Sequence, residues 1–372
     1  MNAPGSAKAV IRASGLYTPP ESISNDELVA SFNEYVRREN EKRPAGEALQ
    51  PSSSEFILKA SGVRSRHVVD RAGILDPEIM RPQIRTRSRE EPSLLCEMAL
   101  AAANEALERA GRAASDVDAV LVACSNLQRP YPAIAVEVQH RLGTRGYAFD
   151  MNVACASAAF GVQVACDAVT MGSARSALVL SPEVCSGHLN FRDRDSHFIF
   201  GDAATAVLIE RDDGARGTHD FEVLGTRLAT RFSNNIRNEF GFLNRAETEP
   251  RTPDELLFVQ DGRTVFREVV PMVAELLASH LADLGIRPDQ VRRYWLHQAN
   301  LSMNQLILKR LLGRPANEDE APIVLDEYAN TSSAGSVIAF HRHQAGLEAG
   351  DVGVLCAFGA GYSAGSIVVR KR

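Results

Sequence analysis

The sequence predicts an α/β protein made of two copies of one strand–helix unit, stacked as a five-layered αβαβα sandwich. Three observations carry that reading. Strand-like and helix-like segments alternate along the chain, the pattern of sheets covered by helices. The stretch "LERAGRAASDVDAVLVACSN" (107–126) parallels "LADLGIRPDQVRRYWLHQAN" (281–300), with Gly111 falling on Gly285, Val117 on Val291 and Asn126 on Asn300, each 174 residues apart. The same spacing pairs Gly172 with Gly346 and brings "ALVLS" alongside "VGVLC", so the repeat persists through a further helix and strand. Finally, "CASAAFGVQVACDAVTMG" (155–172) is poor in charge and rich in small residues, as a helix buried on nearly all sides between two layers would be.

Within this frame the first copy takes strands near 8–15, 117–124, 147–151, 176–181 and 203–210, with helices near 92–111, 132–142 and 155–171. The second takes strands near 221–228, 291–296, 322–326, 352–358 and 364–370, with helices near 264–284, 301–312 and 332–346. "GDAATAVLIE" (201–210) and "GYSAGSIVVR" (361–370) match as the last strands of the two copies, which divides the chain into 1–212 and 213–372. Three polar or Pro-punctuated segments, 35–54, 72–91 and about 231–255, interrupt the repeat and read as insertions near the mouth of a site or an interface.

Composition narrows the function classes. With 372 residues, 45% apolar and 24% charged, the chain can bury one large domain or two fused ones. A net charge of -6 argues against a general nucleic-acid binder. The leading residues lack the basic-then-apolar layout of a signal peptide, and no stretch reaches about twenty apolar residues, so a cytoplasmic protein without a membrane span is expected. Six cysteines lie scattered through apolar segments with no CxxC pair, which reads as five buried reduced thiols and one that needs another explanation.

That one is Cys155, in "NVACASAAFG" (152–161). Under the repeat it falls opposite Ala329, beside Asn330 in "YANTSSAG", and His297 in "LHQAN" ends a strand at the position matching Ala123. All three sit at strand ends, where α/β sheets place ligand-contacting groups. A thiol at a helix N-terminus gains thiolate stability and becomes a nucleophile for acyl groups. A His and an Asn amide facing it can stabilise a developing enolate. Taken singly, each has a plainer reading: Cys155 as a packed thiol, His297 as a core histidine, Asn330 as a helix cap. Their joint placement on repeat-related loops favours the chemical one. The glycine-rich "FGAGYSAG" (358–365) is too near the end of the second copy for a dinucleotide-binding unit, and fits a turn that aims a backbone N–H at the cysteine. His341 and His343 fall two apart on a helix and face away from each other, so no metal site is expected.

"NVACASAAFG", "LHQAN", "YANTSSAG" and "FGAGYSAG", in that order, resemble the signatures of the β-ketoacyl-ACP synthase III family of thiolase-fold condensing enzymes, as do "SGVRSRHVV" (61–69) and "IFGDAATAVL" (199–208). The resemblance implies a duplicated thiolase-like fold, a homodimer, and a decarboxylative Claisen condensation of an acyl-CoA primer with malonyl-ACP, without a redox cofactor or metal. Cys155 would carry the acyl group, with its own N–H and that of Gly361 as the oxyanion hole, while His297 and Asn330 would hold the malonyl thioester. Phe56 would stack on the CoA adenine, Tyr131 would reach across the dimer to the partner's acyl pocket, and Asn300 would contact substrate. Arg267, Lys309 and Arg310 would dock the acyl carrier protein.

Three positions depart from the family. Ala60 and Ser302 stand where arginines near the pantetheine entrance are common, and Ala329 where Gly is common. These departures and the insertions point to a different primer or carrier, with a medium or longer acyl chain as the main expectation. The alternative within the fold is an acyltransferase or head-to-head acyl condensing enzyme that uses the same cysteine; outside it, a non-catalytic acyl-ligand sensor, against which the intact Cys155, His297 and Asn330 set argues.

Overall fold

The computed structural model describes residues 8–44 and 46–372. Met1 to Ala7, on which part of the signal-peptide reading rests, lie outside the described residues. The first half contributes strands β1 (Ala9–Tyr17), β2 (Ala119–Ala123), β3 (Tyr147–Met151), β4 (Ser176–Val184) and β5 (Asp202–Arg211). The second contributes β6 (Phe221–Ser233), β7 (Val291–Leu296), β8 (Val352–Gly359) and β9 (Gly361–Lys371). Their order is β7-β8-β9-β6-β1-β5-β4-β2-β3, and the two half-sheets join through the short β1/β6 pairing of Val10 with Glu222 and Ile11 with Phe221. Within each half the senses match: β2/β4 and β7/β8 run parallel, while β4/β5, β5/β1, β8/β9 and β9/β6 run antiparallel.

The principal helices are α1 (Asn25–Asn40), α2 (Ser54–Ser61), α3 (Leu94–Ala110), α4 (Ile134–Leu142), α5 (Ser157–Met171), α6 (Gly262–Asp283), α7 (Leu301–Leu312) and α8 (Ala334–Arg342). Helices α3 and α4 cover the outer face of the first half-sheet, and α6 with α7 covers that of the second; α5 and α8 lie between and touch strands of both. Three apolar cores follow these layers: a central one, and one under each outer helical layer. A fourth joins α1, α2 and Phe258 to Phe198 and Phe200.

Burial explains why α5 is built of small residues. Gly161 faces β2 and β4 so closely that a Cβ there would lie 2.8 Å from Val179 Cγ1 and 2.9 Å from Ala123 Cβ. The helix is not enclosed on all sides, however: Gln163, Asp167 and Thr170 form a polar edge, and Met171 is exposed. The segment Ala154–Met171 is long and apolar enough to cross a membrane by length and composition, but its apolar faces are taken up by the two half-sheets.

The repeat is visible in backbone as well as sequence, since the paired glycines Gly111/Gly285 and Gly172/Gly346 all end helices or turns at positive φ. It fails at one edge. Residues 322–326 do not form the expected strand beside β7. Pro322 has no N–H for a ladder, the Val324 and Leu325 amides donate instead to Gln298 Oε1 (3.0 and 3.1 Å), and the chain turns into the short helix Leu325–Tyr328. Tyr294 N still donates to Glu320 O at 2.7 Å, a trace of the missing pairing.

An ionic knot fastens the connector between the halves. Arg12 on β1 is 4% exposed and donates to Glu210 (2.9 Å), Asp220 (2.7 Å) and Asp213 (2.5 Å), while Arg112 takes the other face of Glu210. Removing one member of such a group leaves buried charge unmatched. Arg12→Ala is therefore expected to lower unfolding stability by about 3 kcal/mol, read from urea denaturation.

Candidate active site

The turn that carries Cys155 precedes α5. Ala154 takes a left-handed φ of +47°, a conformation that costs an alanine about 1 kcal/mol and is held by side chains on both sides. Asn152 Oδ1 accepts the Ala154 N–H (2.9 Å) while its Nδ2 donates to Ser125 O (2.7 Å). Ser157 Oγ accepts from Val153 N (2.8 Å) and donates to Ala154 O (2.6 Å). Cys155 is thereby presented at the mouth of α5, half-buried, while the other five cysteines are buried.

His297 closes β7. Its N–H donates to Cys356 O (2.7 Å), its carbonyl accepts from Asn304 Nδ2 (2.9 Å), and its ring meets Phe358 edge-on with centroids 5.2 Å apart. Burial drives the imidazole down to about 4, against a weaker opposing effect of the Ser332 backbone, so it is neutral at ordinary pH. Asn330 follows Ala329, whose φ is +54°. Its main chain pairs with the stretch leading into β5, N to Ile199 O (3.0 Å) and O from Gly201 N (3.2 Å). The Ser332 N–H occupies Asn330 Oδ1 (2.9 Å), leaving the Nδ2 group to donate elsewhere.

Cys155, His297 and Asn330 line one cavity of about 590 Å³. Its walls are largely apolar, including Phe198, Phe200, Phe258, Val265 and Phe266, and its exposed end carries Ala60, Arg263 and Ser302. The third insertion builds part of the wall through Ile236, whose short strand pairs with Val259–Gln260 next to Phe258. Gly359 also lines the cavity and allows the closest approach in the site: a Cβ there would lie 2.6 Å from Cys155 Cβ and 3.0 Å from its Sγ.

Two expectations need correction here. The backbone amide that approaches the Cys155 sulfur is that of Ala360, whereas Gly361 is exposed and lies off the cavity. Gly359 packs directly on the thiol, so the next N–H along the chain is the one directed at it. The Cys155 thiol is also not lowered by its helix terminus. Burial pushes it up to about 11, reinforced by the Glu183 carboxylate, and the Ser332 side chain and the Ala360 and Cys155 amides only partly offset this. The other five are raised as well, Cys96, Cys166 and Cys356 to about 12 and Cys124 and Cys185 well above their usual range.

The remaining expected residues divide. Phe56 packs edge-on against Phe198 and is covered by Arg194, whose guanidinium sits 4.2 Å from the ring centre. Asn300 lines the cavity, but its side chain caps α7 (Met303 N, 3.2 Å) and donates to Ala60 O (2.8 Å). Tyr131 is 82% exposed. Arg267 is exposed on α6, one turn from Arg263, which the sequence reading missed and which lines the mouth. Lys309 and Arg310 occupy the last turn of α7, about 12 Å along the axis from Ser302.

A thiol, a neutral imidazole and a carboxamide converging on an apolar cavity between duplicated halves define a thiolase-fold acyl-transferring enzyme. Models of 3-oxoacyl-[acyl-carrier-protein] synthase III match residues 149–230 and, for its C-terminal part, 281–371. The chain is 60% identical to the β-ketodecanoyl-[acyl-carrier-protein] synthase of Pseudomonas aeruginosa, over 92% of this chain and 99% of that one. Among solved structures it resembles the 3-oxoacyl-(acyl carrier protein) synthase III of Pseudomonas aeruginosa (25% identity, TM-score 0.75, 98% of both chains). It also resembles the priming β-ketosynthase of the R1128 polyketide pathway (23% identity, TM-score 0.79, 100% of this chain and 98% of that one). The chain belongs to the β-ketoacyl-ACP synthase III family and is an acyltransferase of the condensing type.

Gly359→Ala is expected to displace the thiol and cut the rate of Cys155 acylation about 100-fold, with the fold retained. Stopped-flow release of free CoA from acyl-CoA, alongside thermal unfolding of the same variant, checks it.

Proposed function

We propose that the protein condenses a medium-chain acyl thioester, centred on eight carbons, with malonyl-ACP to give a β-ketoacyl-ACP. The observation that carries this is the convergence of Cys155, His297 and Asn330 on one apolar-walled cavity. The primer length rests on the similarity to a β-ketodecanoyl synthase, because a ten-carbon product is an eight-carbon primer plus the two carbons that malonyl retains.

In the first half-reaction the Cys155 sulfur attacks the primer carbonyl. The oxyanion is met by the Ala360 and Cys155 amides, and the thiol proton passes through neutral His297 to the departing CoA thiolate. In the second, the malonyl C–CO2 bond breaks and its electron pair moves into the thioester enolate, whose oxygen accepts from the His297 N–H and Asn330 Nδ2. The enolate carbon then attacks the acyl-cysteine and Cys155 leaves as thiolate, to be reprotonated. Bonds and electrons balance within these steps, so no redox partner is called for. Arg263 and Arg267 beside the mouth are the first docking points for the acidic carrier, with Lys309 and Arg310 further round. We assign the exposed Tyr131 and the β3 edge to contact with a second copy.

Incubation with a panel of acyl-CoA and acyl-ACP primers, followed by intact-mass measurement, is expected to show the octanoyl adduct on Cys155 and none on Cys155→Ala. A panel that acylates but gives a carbon–carbon bond without malonyl would favour head-to-head condensation instead. His297 stays neutral down to about pH 4, whereas burial raises the Glu183 carboxylate to about 7, so it is in a Glu183→Gln background that single-turnover decarboxylation by pre-acylated enzyme should hold level from pH 8 to about 5. A limb near 6.5, where an ordinary imidazole charges, would contradict the role given to it.

A further inference from the structure

Glu183, near the end of β4, is 1% exposed, and no cation pairs with it among the described residues. It is not part of the cavity lining, and the mechanism above makes no use of it. Its carboxylate is instead the meeting point of donors from two other loops. Oε1 accepts the N–H of Ser125 (2.9 Å), the N–H of Ser333 (3.2 Å) and the Ser333 hydroxyl; Oε2 accepts the Ser125 hydroxyl (2.6 Å). Ser125 is the residue whose carbonyl holds Asn152, and Asn152 holds Ala154 in the turn before Cys155. Ser333 follows Ser332, the residue whose N–H occupies Asn330 Oδ1. One carboxylate thus links the nucleophile loop of the first half to the Asn330 loop of the second.

We propose that Glu183 is a positioning residue that holds these two loops in register. Its negative charge adds to burial in disfavouring the Cys155 thiolate. The proposal rests on Cys155 being the nucleophile. The ionisable groups around Glu183 are Cys155, Cys124 after β2 and Cys185 just past the end of β4, its Sγ 3.9 Å from Oε2, with Asp202 of β5 beyond Cys185. None is cationic, so nothing nearby cancels its field. Burial raises Glu183 itself to about 7, well below Cys155 at about 11, so the carboxylate is charged throughout the range in which the thiol ionises. Neutralising it must therefore make the thiol more acidic.

Glu183→Gln is a close neutral copy. Its Oε1 can still receive both backbone amides, and the Ser125 hydroxyl can turn to accept from Nε2. Glu183→Asp keeps the charge but shortens the reach to Ser125 and Ser333. The test is the pH dependence of Cys155 alkylation by iodoacetamide, located by peptide mass mapping, together with kcat for condensation. Glu183→Gln is expected to move the alkylation midpoint down by about one unit and raise labelling at pH 8 about tenfold. Glu183→Asp should keep the wild-type alkylation profile and lose kcat. Wild-type kcat in Glu183→Asp overturns the proposal, as does an equal alkylation shift in both variants. Labelling of wild type at a cysteine other than Cys155 would instead remove the functional reading on which the proposal stands.

Discussion

Two sheets can share one layer of helices only if those helices are thin, and this steric demand governs the molecule. Gly161 touches Val179 and Ala123 at distances that exclude a methyl group, and Gly365 on β9 faces Ala159 from the other side just as closely. Because α5 is held this tightly, the turn before it has almost no freedom. The strained Ala154 and the Asn152 and Ser157 bonds that fix it follow from the need to enter the central layer at one depth and angle. Cys155 is the side chain that this geometry leaves facing the cavity.

The second consequence is electrical. A cavity walled by phenylalanines disfavours charge on the groups at its inner end. His297 is neutral, the Cys155 thiol is protonated at rest, and Asn330 brings a donor with no charge at all. In the reaction proposed above, charge arises only transiently, on the oxyanion and the enolate, and would be met there by amide N–H groups, an imidazole N–H and a carboxamide.

The repeat made the three-loop set legible from sequence, because it fixed which strand ends fall together without any knowledge of distance. What it could not supply was depth. "FGAGYSAG" offers several backbone amides, and only the contact of Gly359 with the Cys155 side chain selects Ala360 over Gly361. The thiol's acidity does not follow from the helix terminus, because that is local while part of the apolar wall comes from Ile236 in an insertion and Phe258 just after it, far along the chain. Arg263 carried no motif. Its place at the mouth depends on where α6 begins, which Asp261 sets by accepting the Thr264 N–H. The strand expected at 322–326 failed for a local reason that was readable, since Pro322 stands at its first position.

That lost strand has a meaning for assembly. A perfectly duplicated chain would end in two equivalent sheet edges, one at each side, and identical copies could join edge to edge without limit. Here β3 ends one side as an ordinary strand, while β7 on the other is overlain by the segment around Glu320 and Pro322. A molecule with a single competent edge can be extended once and then has nothing left to offer. By breaking its own internal symmetry at one proline, the chain lacks the second equivalent edge that a ribbon of copies would need.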